Sequence, residues 1–335
     1  MLSNQIATSN IKMKTYQQLW QSLTPLYDAG EAQAIVRTVL DVKYGMTLTD
    51  IIGGKVNEIS ADEERKLEEI IIRLQKGEPV QYVLGEADFA GRPFHVEPGV
   101  LIPRPETAEL CQWIEKDMIE KSIVSSGDSS GNSPQATDDA KLILDICTGS
   151  GCIAITLGLN IPNSEVTGWD ISEDALRIAQ GNVEMMKAGN VRIEHQDALA
   201  LPKAAETDNE KMKGNDDKEV VKPKGEAKTP STQKWDLIVS NPPYICEKEK
   251  ADMEKNVLEH EPSLALFVPD EDPLKFYRAI AEYASSALKS GGALYFEINP
   301  IYEKETREML LKLDFKDIET KEDAFGKKRM MRAMK

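Results

Sequence analysis

The chain has 335 residues, 41 Lys+Arg against 57 Asp+Glu for a formal net charge of -16, and 41% hydrophobic residues. That composition allows a sizeable core and excludes collagenous, disulfide-stapled and disordered classes. No run approaches the ~18 apolar residues of a membrane span, Met1 to Asn10 lacks the basic patch and apolar stretch of a signal peptide, and the acidity opposes non-specific binding to nucleic acid, so a cytoplasmic protein is expected.

Tyr16, Leu19, Trp20, Leu23 and Leu26, then Ile35, Val36, Val39 and Leu40, then Leu67, Ile70, Ile71 and Leu74 recur at three- and four-residue spacing and predict helices. Ser60 with Glu63 and Glu64 reads as an N-cap with an acidic first turn, and Gly77 with Pro79 stops that helix. Ala87 to Phe89 and Phe94 to Val96 flank Ala90-Gly91-Arg92-Pro93 and read as a β-hairpin. From Leu142 the pattern changes to short apolar runs between helical stretches. Leu142 to Ile146, Glu165 to Trp169, Val191 to Glu194, Trp235 to Val239 and Ala293 to Ile298 read as strands, with helices at Cys152 to Leu159, Ser172 to Lys187 and Leu274 to Leu288. Such alternation predicts a parallel α/β sheet with covered faces, and Phe315 to Thr320 with Lys328 to Ala333 would close it antiparallel. The expected layout is a helical domain over 1–85, a hairpin linker over 86–105, and an α/β domain over 106–335. The stretches near 122–140 and 202–234 lack a buried face and are expected to be mobile insertions.

Cys111, Cys147, Cys152 and Cys246 show no Cys-x-x-Cys spacing, and His95, His195 and His260 do not cluster with them, so neither disulfides nor a metal is expected. Asp145-Ile146-Cys147-Thr148-Gly149-Ser150-Gly151-Cys152 follows an apolar strand and opens an apolar helix, placing its glycines where the chain turns sharply and a ligand approaches the backbone. Asp170 ends the next strand about 20 residues on, where a Rossmann-like fold sets a carboxylate against ribose hydroxyls; the plainer reading is a cap for the helix near Ser172. Asp197 ends the third strand and is placed to accept from an adenine amino group, or is a turn residue. The loop alone fits a dinucleotide or S-adenosylmethionine.

The fourth strand is decisive. Asn241-Pro242-Pro243-Tyr244 stands at its carboxyl end, and the two prolines hold the backbone after Asn241 extended. An amide, a fixed carbonyl and an aromatic ring are thereby presented in the ligand crevice. They suit a planar NH₂ acceptor, its hydrogens on the Asn241 side-chain oxygen and the Pro242 carbonyl and its face against Tyr244. Holding the nitrogen so aims it at a methyl donor, which is catalysis by positioning.

With both motifs, and the run Phe94-His95-Val96-Glu97-Pro98-Gly99-Val100-Leu101-Ile102-Pro103-Arg104-Pro105-Glu106-Thr107, the chain resembles the bacterial protein-(glutamine-N5) methyltransferases. The Pro103 to Thr107 segment resembles their release-factor branch rather than the branch acting on a ribosomal protein. The resemblance implies a Rossmann-like class I methyltransferase with a mostly parallel seven-stranded sheet and a small N-terminal helical domain that grips the partner. It implies S-adenosylmethionine held by Asp145, Thr148, Gly149, Ser150, Gly151, Asp170, Asp197, Ala198 and Asn241. Catalysis would fall to Asn241, Pro242 and Tyr244, which with Pro243, Arg104 and Glu106 would hold the glutamine of a release factor's Gly-Gly-Gln loop. Alternatives are an amino-methyltransferase of nucleic acid, which would want a basic face, and a degenerate fold serving as a scaffold. The chain departs from the family at Cys147, where a glycine is usual, and over Phe267 to Pro273.

Overall fold

The computed structural model describes residues 15–125, 140–202 and 234–335. Most of both expected insertions, and Met1 to Lys14, lie outside the described residues. The chain divides into two compact units, one of residues up to Glu86 with Glu254–His260, the other of Ala87–Met253 with Glu261–Lys335.

In the first unit, α1 (Tyr16–Gln21), α2 (Ala29–Tyr44), α3 (Leu48–Ile52), α4 (Ala61–Leu74) and α5 (Val80–Leu84) are short amphipathic helices. Thr15, Asp28, Thr47 and Ser60 each accept from the third amide of the helix they open. At Ser60 the bond is reciprocal, since Glu63 accepts from the Ser60 backbone amide at 2.8 Å. The spacing read from the sequence identifies the core, which gathers Leu19, Leu23, Val36, Val39, Leu40, Leu67, Ile71 and Leu74. Leu26 is the exception, 54% exposed where the chain has already left α1.

The second unit begins with the hairpin β1 (Glu86–Phe89) and β2 (Arg92–His95). Ala90 and Gly91 between them both have positive φ, the two-residue turn that matches strand twist. The chain continues through α6 (Pro105–Ser125), β3 (Lys141–Ile146), α7 (Cys152–Asn160), β4 (Ser164–Asp170), α8 (Glu173–Met186), β5 (Val191–His195), β6 (Trp235–Ser240) and β7 (Ile245–Cys246). After α9 (Lys255–His260), which groups with the first unit, come α10 (Ser263–Leu266), β8 (Phe267–Val268), α11 (Lys275–Ala287), β9 (Leu288–Glu297), α12 (Glu303–Lys312), β10 (Lys316–Glu322) and β11 (Lys328–Met334). Helix α6 is absent from the sequence reading, and its last turn runs into the stretch near 122–140 that was expected to be an insertion.

Seven strands form one sheet in the order β10-β11-β9-β6-β3-β4-β5, parallel except for β11, which is antiparallel to both neighbours. This is the expected Rossmann-like methyltransferase sheet. The expected final pair closes it antiparallel, with β10 at the edge and β11 between β10 and β9. Strand side chains alternate between two cores: Ile143, Leu237, Val239 and Tyr295 face α6 and α7, while Leu144, Ile238, Leu294 and Phe296 face α11 and α12. Because β9, β6, β3 and β4 lie side by side and run parallel, their carboxyl ends open on one crevice.

Close packing of α7 on the sheet yields a test. A Cβ on Gly158 would stand 2.6 Å from Val191 Cγ2. Alanine adds about 1 kcal/mol of helix propensity, but overpacking a rigid branched neighbour costs about 1–3 kcal/mol, so Gly158→Ala should lower the melting temperature. Val191→Ala in the same chain should recover part of the loss in thermal unfolding.

Candidate active site

The turn from β3 into α7 sits at the centre of that crevice. Cys147, Gly149 and Gly151 all have positive φ, at 63°, 55° and 79°. Thr148 N donates to Trp169 O (2.9 Å) and Gly151 N to Thr148 O (2.8 Å), which ties the turn to β4 and closes it. A side chain at Gly151 would meet Ile155 and Ala179, and one at Gly168 would meet Thr148 Oγ1 at 2.8 Å, so both positions are closed to anything larger. At Gly149 an added Cβ would meet nothing within 4 Å, because that face looks into open space.

Three carboxylates organise the turn. Asp145 lies fully buried beneath it, accepting from Thr148 Oγ1 (2.6 Å) and Ala154 N (3.2 Å), and burial pushes its pKa up to about 7. Asp170 accepts from Gly149 N and Ser172 N, each at 2.9 Å, one on each oxygen, and burial raises its pKa. The Ile171 amide also acts on this carboxylate, which still keeps acceptor capacity for a ligand. The cap of α8 is Ser172 itself, which accepts from Ala175 N. Asp197 accepts from Leu199 N (2.8 Å) and so closes its own turn as well as facing the crevice.

One pocket is lined by Thr148, Gly149, Ser150, Asp170, Asp197, Ala198, Asn241, Pro243 and Arg104 among the residues singled out from sequence. Ile171, Leu199 and Phe276 add apolar wall. Asp145, Gly151, Pro242, Tyr244 and Glu106 stand behind or beside this lining. A polyhydroxylated, planar ligand fits such a wall, with carboxylate acceptors at one end and apolar surface beside them.

The tetrapeptide leaves β6 at the pocket edge. Ser240 Oγ donates to Ile146 O (2.6 Å), joining its root to the β3 turn. Asn241 Nδ2 donates to Thr107 Oγ1 (3.1 Å), Thr107 Oγ1 donates to Glu297 Oε2 (2.6 Å), and Tyr244 OH donates to Glu297 Oε1 (3.0 Å). Arg329 donates to Tyr244 OH at 3.3 Å, and Asn299 Nδ2 to the Tyr244 carbonyl at 3.1 Å. Burial, reinforced by Glu297, holds the Tyr244 phenol well above its usual pKa, so it remains a neutral donor. The chain then enters β7, which pairs in parallel with β8, the first part of the atypical stretch from Phe267 to Pro273. That stretch therefore helps fix the exit of the tetrapeptide.

The segment from Gly99 to Thr107 forms one pocket wall and is pinned by residues that sequence reasoning gave no role. Glu261, its side chain 1% exposed, accepts from Ile102 N (3.2 Å) and Arg104 (2.5 Å). Asn182 exchanges hydrogen bonds with the His95 backbone and donates to Ser150 O (2.9 Å), linking β2, α8 and the turn. Glu297 had a legible signal, a lone carboxylate in the apolar run Ala293 to Ile298 at its crevice end. Arg329 had none, and Thr107, although inside the Pro103 to Thr107 run, gave no sign of its bonds to Asn241 and Glu297, because those partners lie far away in sequence.

Residues 137–309 match the family model described as a methyltransferase domain, and residues 25–85 match that of the PrmC N-terminal domain. The chain is 43% identical over 313 residues to a release factor glutamine methyltransferase of Bacteroides thetaiotaomicron, covering 93% of this chain and 96% of that one. It is 36% identical to the protein of the same description from Flavobacterium psychrophilum, covering 96% and 98%. With that from Bacillus subtilis the identity is 32%, over 96% and 98%.

Cys147 carries the turn's conformational cost. A side chain in the left-handed region costs roughly 1–2 kcal/mol, which glycine avoids, while burial lifts the thiol pKa well above its usual value and keeps it neutral. Cys147→Gly should therefore stay within about 1 kcal/mol of the parent, strain relief offsetting the lost contacts, whereas β-branched Cys147→Val should cost about 2 kcal/mol or more. Chemical denaturation of both variants decides it.

Proposed function

The chain belongs to the release factor glutamine methyltransferase family, and from that premise we propose that it methylates the side-chain nitrogen of the glutamine in the Gly-Gly-Gln loop of peptide chain release factors. S-adenosylmethionine is the methyl donor and supplies an electrophilic methyl on a sulfonium. Asp170 fits its ribose, having acceptor capacity left at the pocket wall, and Gly149 leaves the backbone open to close approach. Thr148, Ser150, Asp197, Ala198 and the apolar Ile171 and Leu199 complete the cofactor wall. Asp145 and Gly151 shape the turn from behind.

The observation that carries the reading is Asn241, on the pocket wall with its NH₂ already given to Thr107. Its carbonyl oxygen is left to accept one N–H of the glutamine amide, and the Pro242 carbonyl accepts the other. Tyr244 bounds the amide face, and Pro243, Arg104 and Glu106 border the same entrance. With both hydrogens held, the nitrogen is aimed at the methyl, and positioning rather than a general base lowers the barrier. Bound there, the donor would give up its methyl to the nitrogen and leave as the thioether, and the nitrogen, made acidic by the transfer, would lose its proton to water. The helical unit supplies surface for gripping a folded partner, a protein acceptor suits a net charge of -16 better than a phosphate backbone does, and release factors place the reaction in the bacterial cytoplasm.

Asp170→Ala should weaken cofactor binding by about 1.5–3 kcal/mol, roughly tenfold or more, in calorimetry. Asn241→Ala should lower kcat by about 100-fold or more with cofactor affinity nearly unchanged, because it acts on the acceptor. The direct experiment gives labelled S-adenosylmethionine to the enzyme with a bacterial release factor, then with the loop Gln replaced by Ala. Label should enter only the first, and transfer that persists in the Ala variant, or needs DNA or RNA, overturns the assignment.

A further inference from the structure

We propose that Glu297 is a positioning residue of this site: by accepting from Thr107 and Tyr244 it sets the direction of a hydrogen-bond chain that turns the Asn241 carbonyl oxygen toward the pocket. The inference rests on the reading that this oxygen receives an N–H of the acceptor.

Glu297 ends β9 with 2% of its surface exposed, and a carboxylate there can only accept. Thr107 has one hydroxyl hydrogen, and it points to Glu297 Oε2 across 2.6 Å. Toward Asn241, Thr107 can then only offer a lone pair, so the Asn241 atom 3.1 Å away is the NH₂ and the carbonyl oxygen faces the other way. Without the carboxylate, the Thr107 hydroxyl serves either end of the amide equally. A flipped Asn241 would present NH₂ to the acceptor's NH₂, leaving two donors opposed where one bond had been.

The same carboxylate accepts the Tyr244 O–H, which leaves the phenol oxygen to accept from Arg329. Its own backbone is anchored too, since Tyr277 OH donates to the Glu297 carbonyl at 3.2 Å and accepts from Asn299 N at 3.1 Å. Burial raises the Glu297 pKa, and the Thr107 and Tyr244 bonds with the Arg329 charge act against that rise. Glu297 is not part of the pocket lining and is separated from it by Thr107, so it acts through Thr107 and Tyr244 rather than on the reacting atoms.

Glu297→Gln keeps the shape but has one acceptor oxygen for two hydroxyls, and an NH₂ toward Thr107 reverses the chain. Glu297→Gln and Thr107→Val should each lower kcat about tenfold or more while cofactor affinity stays near the parent, and Thr107→Ser, which keeps the hydroxyl, should retain most turnover. The double variant should be little worse than either single one, since both break one chain. In ¹⁵N-labelled protein without any acceptor, the Asn241 side-chain NH₂ signals, identified by their loss in Asn241→Ala, should shift and exchange faster in Glu297→Gln and Thr107→Val but not in Thr107→Ser.

A folded Glu297→Gln enzyme with parental kcat overturns the proposal, as does a loss confined to cofactor affinity. If Glu297→Gln does not fold, the two Thr107 variants decide, and equal damage from Ser and Val overturns it. Should the parent protein fail to methylate a release factor, the substrate assignment falls, while the unchanged or shifted Asn241 signals still judge the hydrogen-bond chain.

Discussion

A carboxylate taken out of water costs several kcal/mol unless donors meet it, and this site is built around that requirement. Asp145, Glu261 and Glu297 are all buried, and each is met by donors from segments that would otherwise be free to wander. Asp145 gathers Thr148 and the start of α7; Glu261 gathers Ile102 and Arg104; Glu297 gathers Thr107 and Tyr244. Most of the pocket wall is loop, and several of those loops are held by these buried acceptors. Net attraction is a lesser part of this than specificity, because a loop that moved away would leave its buried acceptor without those donors.

The parallel strands were legible because β3, β4, β6 and β9 are buried on both faces and read as short apolar runs, and the Gly-rich turn and Asn-Pro-Pro-Tyr stand at their ends as local words. Helix α6 was not legible: its apolar residues Leu110, Trp113 and Ile114 serve a narrow contact and its polar faces resemble those of a linker. β11 was read as a strand but its place was not, since nothing local tells the last strand to enter between β9 and β10. The pocket residues from the motifs were within reach of sequence reasoning, whereas Asn182, Glu261 and Arg329, and the bonds made by Thr107, are defined by partners that only the fold brings near. Cys147 illustrates the middle case. Its departure from glycine was visible, and the positive φ explains why glycine is the easier residue there.

Sheet and site also divide the work of the two cores. The face toward α11 and α12 packs Trp169 against Trp235 and Tyr283, with ring centroids 6.1 and 5.6 Å apart, and Trp235 Nε1 donates to Tyr283 OH. The other face seats α6, whose first turn delivers Thr107. The aromatic layer stiffens one face of the sheet, and the helix start on the other supplies the residue that fixes Asn241.

The bonds that define this chemistry span much of the chain, 190 residues from Thr107 to Glu297, 157 from Arg104 to Glu261 and 134 from Thr107 to Asn241. Closing contacts of such separation is slow and late relative to the formation of helices, because chain entropy must be spent before the contacts repay it. No early fragment of the domain, however helical, contains a working Asn241. During refolding, turnover should therefore lag behind secondary structure and coincide with the docking of β9 and β11 on the sheet.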